Sequence, residues 1–162
     1  MNSKNIKLKQ IIDEDFSHYK KPSMVLVFPY CDFKCFDKKE NKCHNRNLIK
    51  LETKDFQLTE IVNKYKKSFI TSAIVLAGLE PLYEHKNTFE LVYFLRESGI
   101  TDDIVIYTGY TEEELYKRDI NLEDLGENII VKYGRYIENQ KEYYNEILGV
   151  NLVGQNQYAI KY

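Results

Sequence analysis

Four short apolar runs set what this chain can fold into. They are SMVLVFPY at residues 23–30, SAIVLA at 72–77, DIVIY at 103–107 and IIVKY at 129–133. Each is short and rich in Val, Ile or aromatic residues, so each reads as a buried strand. Helical patterns lie between them. Over residues 58–69, Leu58, Ile61, Val62, Tyr65 and Phe69 recur at the spacing of an amphipathic helix. Residues 88–98 give a second helix, with Phe89, Val92, Phe94 and Leu95 for packing and Gly99 as its stop. A third, over 111–117, opens on Thr111 followed by Glu112, Glu113 and Glu114, a capping-box start in which carboxylates meet the N-terminal dipole. A last short strand is expected at 158–161.

Strand alternating with helix is the rhythm of a parallel sheet covered by helices, an α/β fold. The 162 residues hold four or five such units, whereas a closed eight-stranded barrel needs about 250. Nothing marks a boundary, so residues 1–162 read as a single domain with 1–20 as an N-terminal extension. In open parallel sheets the chemistry lies beyond the C-terminal ends of the strands. The loop carrying the cysteines, the loop Gly78-Leu79-Glu80-Pro81 and the loop Thr108-Gly109-Tyr110 all leave such ends. They are expected to face one cavity.

Composition narrows the function. With 23 Lys+Arg against 25 Asp+Glu, the net charge of -2 excludes the dominant basic surface that non-specific nucleic-acid binding needs. No apolar run approaches the roughly 20 residues of a membrane span. The opening MNSKNIKLKQ has lysines with no apolar segment behind them, unlike a secretory signal. The chain therefore reads as cytoplasmic, with neither nucleic acid nor membrane as a partner. Its three cysteines are an odd count for a disulfide framework, and all fall in one stretch, Cys31-x3-Cys35-x7-Cys43, with His44 next. Clustered thiols in a reducing compartment point to a metal. Three free thiols with no metal are the plainest alternative. A zinc-binding interaction module using Cys31, Cys35, Cys43 and His44 is another, although adjacent ligands strain a tetrahedral site and no C-x2-C pair is present. Three thiolates on a four-iron cubane are the third reading, and they would leave one iron open.

The stretch YCDFKCFDKKENKCHN resembles the radical S-adenosylmethionine (SAM) signature, three cysteines that hold a 4Fe-4S cluster. Cys43-His44-Asn45 is similar to the close of that signature in the anaerobic ribonucleotide reductase activating protein family. Ala77-Gly78-Leu79-Glu80-Pro81-Leu82 resembles that family's Gly-Gly-Asp/Glu-Pro-Leu loop, and the run from Ile104 to Tyr110 its strand ending in Thr-Gly-Tyr. Gly134-Arg135-Tyr136-Ile137, then Leu152-Val153-Gly154-Gln155-Asn156-Gln157, resemble its late Gly-Pro-Phe/Tyr-Ile and Gly-Ser-x-Asn-Gln elements. The ordered set spans about residues 23 to 160. The chain departs from the pattern in places. Seven residues, not two, separate Cys35 from Cys43; Leu79 replaces a glycine; and Asp13-Glu14-Asp15-Phe16 stands where a glycine-rich segment precedes the first strand.

The resemblance implies a small incomplete (β/α) barrel, with helices outside a mostly parallel sheet. It implies that Cys31, Cys35 and Cys43 hold the cluster and that the open iron chelates SAM. Reduction by a flavodoxin-type donor would then generate a 5′-deoxyadenosyl radical. It implies cofactor contacts from Gly78, Glu80, Thr108, Gly109 and Asn156, with Glu80 receiving the SAM ammonium, Gln157 beside Asn156 as a further group for the cofactor or the partner, and Phe33 or Phe36 packing on adenine. The implied reaction is hydrogen abstraction from a glycine of a large ribonucleotide reductase subunit. A small-molecule radical SAM enzyme, similar to 7-carboxy-7-deazaguanine synthase, would share the cluster. Tyr107 and Tyr110 read as packing residues, Lys34, Lys38, Lys39 and Lys42 as a solvated face, and His18 and His85 as surface groups without partners.

Overall fold

The computed structural model describes residues 4–35 and 43–162. Its centre is a six-stranded sheet. Strands β3 (Ser23–Phe28), β5 (Ala73–Gly78), β6 (Asp103–Tyr107) and β7 (Ile129–Tyr133) run parallel in that spatial order. They are the four apolar runs of the sequence. Antiparallel strands flank them: β2 (Gln10–Asp15) beside β3, and β10 (Tyr158–Lys161) beside β7. The order is β10-β7-β6-β5-β3-β2. The outermost strands do not pair with each other, so the sheet stays open. Two small antiparallel pairs complete the strands: β1 (Asn5–Leu8) with β4 (Lys54–Gln57), and β8 (Tyr143–Asn145) with β9 (Val150–Leu152).

Strand alternation sorts side chains onto two faces. Met24, Leu26, Ile74, Leu76, Ile104, Ile106, Ile129 and Val131 face one core, with Leu58, Ile61, Leu91 and Leu95 from the helices. Those helices are α2 (Leu58–Lys67) and α3 (His85–Glu97); the short α1 (Arg46–Ile49) follows the cysteines, and α4 (Glu112–Lys117) follows β6. The opposite face carries smaller residues, Val25, Val27, Ala73, Val75, Ala77 and Val105. Of the helices in the described residues, the short α1 packs against it, through Leu48. Tyr19 and the β8–β9 hairpin, through Leu148 and Leu152, lie there too.

The helix ends follow their local chemistry. At α4, Thr111 Oγ1 accepts from Glu114 N–H at 3.2 Å and Glu114 Oε2 accepts from Thr111 N–H at 2.8 Å, the capping box expected from the sequence. Gly99, at φ 83°, ends α3 as expected, with Ile100 N–H on the Leu95 carbonyl and Gly99 N–H on that of Arg96. Helix α3 begins one turn earlier than expected. Helix α2 stops at Lys67 because Ser68 is extended, and Phe69, expected on its apolar stripe, is fully exposed. Among the described residues no helix is long and apolar enough to cross a membrane.

Candidate metal centre

The parallel strands deliver their loops to one place. A cavity of about 520 Å³ opens at their C-terminal ends, and Cys31, Cys35, Cys43, Gly78, Glu80, Thr108 and Gly109 all line it. The cysteine loop leaves β3 and turns tightly at Phe33, whose φ is 55°. Phe33 N–H points at Cys31 Sγ at 3.3 Å, a donor suited to a thiolate. Asn45 Nδ2 donates to the Gly78 carbonyl at 2.8 Å and so ties the far side of the cysteine loop to β5. Phe36 and the rest of the insertion, with Lys38, Lys39 and Lys42, lie outside the described residues. Burial pushes the Cys31 thiol up to about 11, helped by Glu80 and Asp32 and opposed by Phe33 N–H; burial likewise raises Cys43.

Gly78 meets a backbone demand. At φ 105° a Cβ there would sit 2.7 Å from Phe28 N, so only glycine lets β5 and β3 end side by side. Glu80 is buried, not solvated. Its Oε1 accepts from Leu82 N–H (3.0 Å) and Thr108 Oγ1–H (2.8 Å), and its Oε2 from Gly109 N–H (2.8 Å). One carboxylate thus clasps the loops after β5 and β6. Burial raises its pKa against those donors and Arg135. Asn156 lies outside the cavity lining: its side chain is exposed and donates to the Arg135 carbonyl at 2.8 Å. Its neighbour Gln157 lines the cavity instead, 4% exposed, with Nε2 toward the Gly134 carbonyl and Oε1 without a hydrogen-bond partner among the described residues. A buried acceptor left open in a cavity wall is a place for a ligand donor.

Several cavity groups escaped the sequence reading. His18 is no free surface residue. Its Nδ1–H donates to Asp15 Oδ2 at 2.9 Å, its carbonyl accepts from Tyr107 O–H, and its ring meets the Tyr107 ring edge-on at 5.6 Å. The β2–β3 register shifts between Ile12 and Asp15, an irregularity that leads the strand into this turn. The one hint in the sequence was acidic Asp15 where glycine was expected. Arg135 bridges Asp32 (3.4 Å) on the cysteine loop and Glu114 (3.1 Å) on α4, and lies over the Tyr110 ring. It stands where the resembled element has proline. Lys132 is the lone charge in the strand IIVKY, and alternation turns it into the cavity. His44 lines the cavity at its exposed edge, against Tyr136.

The donor set suits a cluster better than an ion. Among the described residues no three His, Cys, Asp or Glu side chains are grouped for a single metal ion. A cubane spaces its ligands more widely than one ion does, and all three thiols line the same cavity. Residues 23–153, most of the chain, match the family model described as 4Fe-4S single cluster domain. The chain belongs to the 4Fe-4S single cluster domain family. No curated protein and no solved structure matches it. Membership in the 4Fe-4S single cluster family marks the chain as an iron–sulfur protein, and its three thiols lie on irregular backbone that Asn45 ties to β5 and Arg135 ties to α4.

Proposed function

We propose that this iron–sulfur protein is a radical SAM enzyme with an incomplete barrel and that it installs a glycyl radical on a large anaerobic ribonucleotide reductase, drawing electrons from a flavodoxin-type donor. One observation carries the reading: three thiols share a cavity with the ends of three parallel strands, so Cys31, Cys35 and Cys43 would hold a cluster in the same cavity as the loops of β5 and β6. When bound, the cluster and SAM supply one-electron cleavage of the sulfonium and, through it, hydrogen-atom abstraction.

The chain's own residues place and enclose. Cys31, Cys35 and Cys43 would hold the cluster. Glu80 ties the loops of β5 and β6 together, an arrangement that would set Gly109 and Thr108 beside a bound ligand. Its carboxylate already has three protein donors, so its first role is positioning and a ligand ammonium would share it. Gln157 Oε1 offers the free acceptor. Phe33, 38% exposed at the cavity, is the aromatic available to adenine. His18 and Ser17, on the wall formed by the β2–β3 turn, favour a second reading, a small polar substrate inside the cavity.

Anaerobic reconstitution tests the proposal. The wild type is expected to take up about four irons and release 5′-deoxyadenosine from SAM under reduction, and Cys43→Ala to do neither. Incubation with an anaerobic reductase subunit should then give a glycyl radical in its electron paramagnetic resonance spectrum. Equal iron and equal 5′-deoxyadenosine from both proteins would overturn the cluster assignment; SAM cleavage without a glycyl radical would favour the small-molecule reading.

A further inference from the structure

We infer that Lys132 is the counter-charge of the metal centre and sets how readily that centre is reduced, an inference that rests on the iron–sulfur reading above. Lys132 is 8% exposed, near the end of β7, between β10 and β6. On β7, Ile129, Val131 and Tyr133 face the helices, while Ile130 and Lys132 face the other way. Ile130 meets the hairpin side; Lys132, nearer the strand end, reaches the cavity.

Its company is unusual. Arg135 has Asp32 and Glu114, His18 has Asp15, and Glu80 has three donors. Lys132 has the Gly134 carbonyl at 2.9 Å and the Tyr107 ring at 5.8 Å, and among the described residues no carboxylate within ion-pair distance. Burying an ammonium without an opposite charge costs several kcal/mol. Such a group is kept where the cavity itself brings a negative charge. Beyond ion-pair distance, the Glu80 carboxylate of the same cavity also acts on it.

A cubane core of charge 2+ on three thiolates carries -1, and -2 after one electron is added. A cation held nearby in a poorly solvated cavity favours the more negative form, so it raises the reduction potential. Lys132 is placed to do this, because burial shields it from the screening that weakens surface charges.

The test is a potentiometric titration with dithionite, monitored by visible and electron paramagnetic resonance spectra, on reconstituted protein without added SAM. Wild type, Lys132→Met, Lys132→Gln and Lys132→Arg are compared at equal iron content. Lys161→Met, which removes the same charge from the exposed neighbouring strand, is the control. Loss of the charge is expected to make reduction about tenfold less favourable, a shift of about 59 mV to lower potential for a one-electron couple. Lys132→Arg and Lys161→Met are expected to stay close to the wild type. A neutral variant with full iron and the wild-type potential would overturn the inference. Failure of the wild type itself to take up iron would overturn the iron–sulfur reading, and this inference with it.

Discussion

Glu80 and Gly78 show how little freedom single positions have at the rim of the sheet. Glu80→Gln keeps the shape but brings an NH2 group toward Leu82 N–H, Gly109 N–H and the Thr108 hydroxyl, leaving a buried donor unpaired. A loss of about 1–3 kcal/mol is expected, read by urea unfolding of the cluster-free protein. Gly78→Ala should cost more than Gly109→Ala, because its Cβ would meet Phe28 N at 2.7 Å and its φ is 105°, while Gly109 offers contacts of 3.3 Å and beyond. Lys132 gives a pH-dependent expectation. Burial lowers its pKa to about 8, below the unfolded value of about 10.4. Between those values the unfolded chain holds a proton that the folded chain lacks, so stability from this group rises with pH across that window. Lys132→Met should therefore stabilise the cluster-free protein by about 1–3 kcal/mol at pH 7, and the gain should shrink above pH 10. Denaturant titrations at pH 7 and pH 10 check this. That the cysteines, Gly78, Glu80, Thr108 and Gly109 share one cavity was legible, because loop position follows from strand order. The contact of His18 with Tyr107 and the clasp of Arg135 on Asp32 and Glu114 were not legible, because they join residues far apart in the chain.

At the level of elements, local rules did most of the work. The four parallel strands appear where apolar runs predict them, and α4 starts on its capping box. Thr111→Ala removes the hydroxyl acceptor of that box and is expected to cost about 1 kcal/mol, visible as a lower urea midpoint with an unchanged m-value. Where the reading failed, chain context decided. Phe69 completes an apolar stripe on paper, yet the helix stops at Lys67 and the ring lies in solvent. Phe69→Ser should leave stability within about 0.5 kcal/mol, measured by thermal unfolding. The pairs β1–β4 and β8–β9 had no readable signal. Their strands are three or four residues long, and β1 and β4 pair across almost fifty residues of chain.

For the whole molecule, the face opposite α2 and α3 decides how the cavity is closed. Small Ala and Val residues there would leave the sheet thin and wet, and the β8–β9 hairpin covers them with Leu148 and Leu152, both nearly inaccessible. Leu148→Ala should cost about 2–5 kcal/mol and lower the denaturation midpoint. That cover could not be foreseen from periodicity, because the tail carries no strong apolar pattern. The open sheet rests on β10 in another way. This strand pairs with β7 through Tyr158–Tyr133 to Lys161–Ile130, and Tyr162 O–H shares a hydrogen bond with Tyr133 O–H. It is reached through residues 137–142, all exposed. A protease cutting there and releasing the C-terminal piece would strip β7 of its neighbour and bare a row of backbone donors and acceptors. Such a row recruits strands from other molecules, so a nicked sample should precipitate rather than merely lose function.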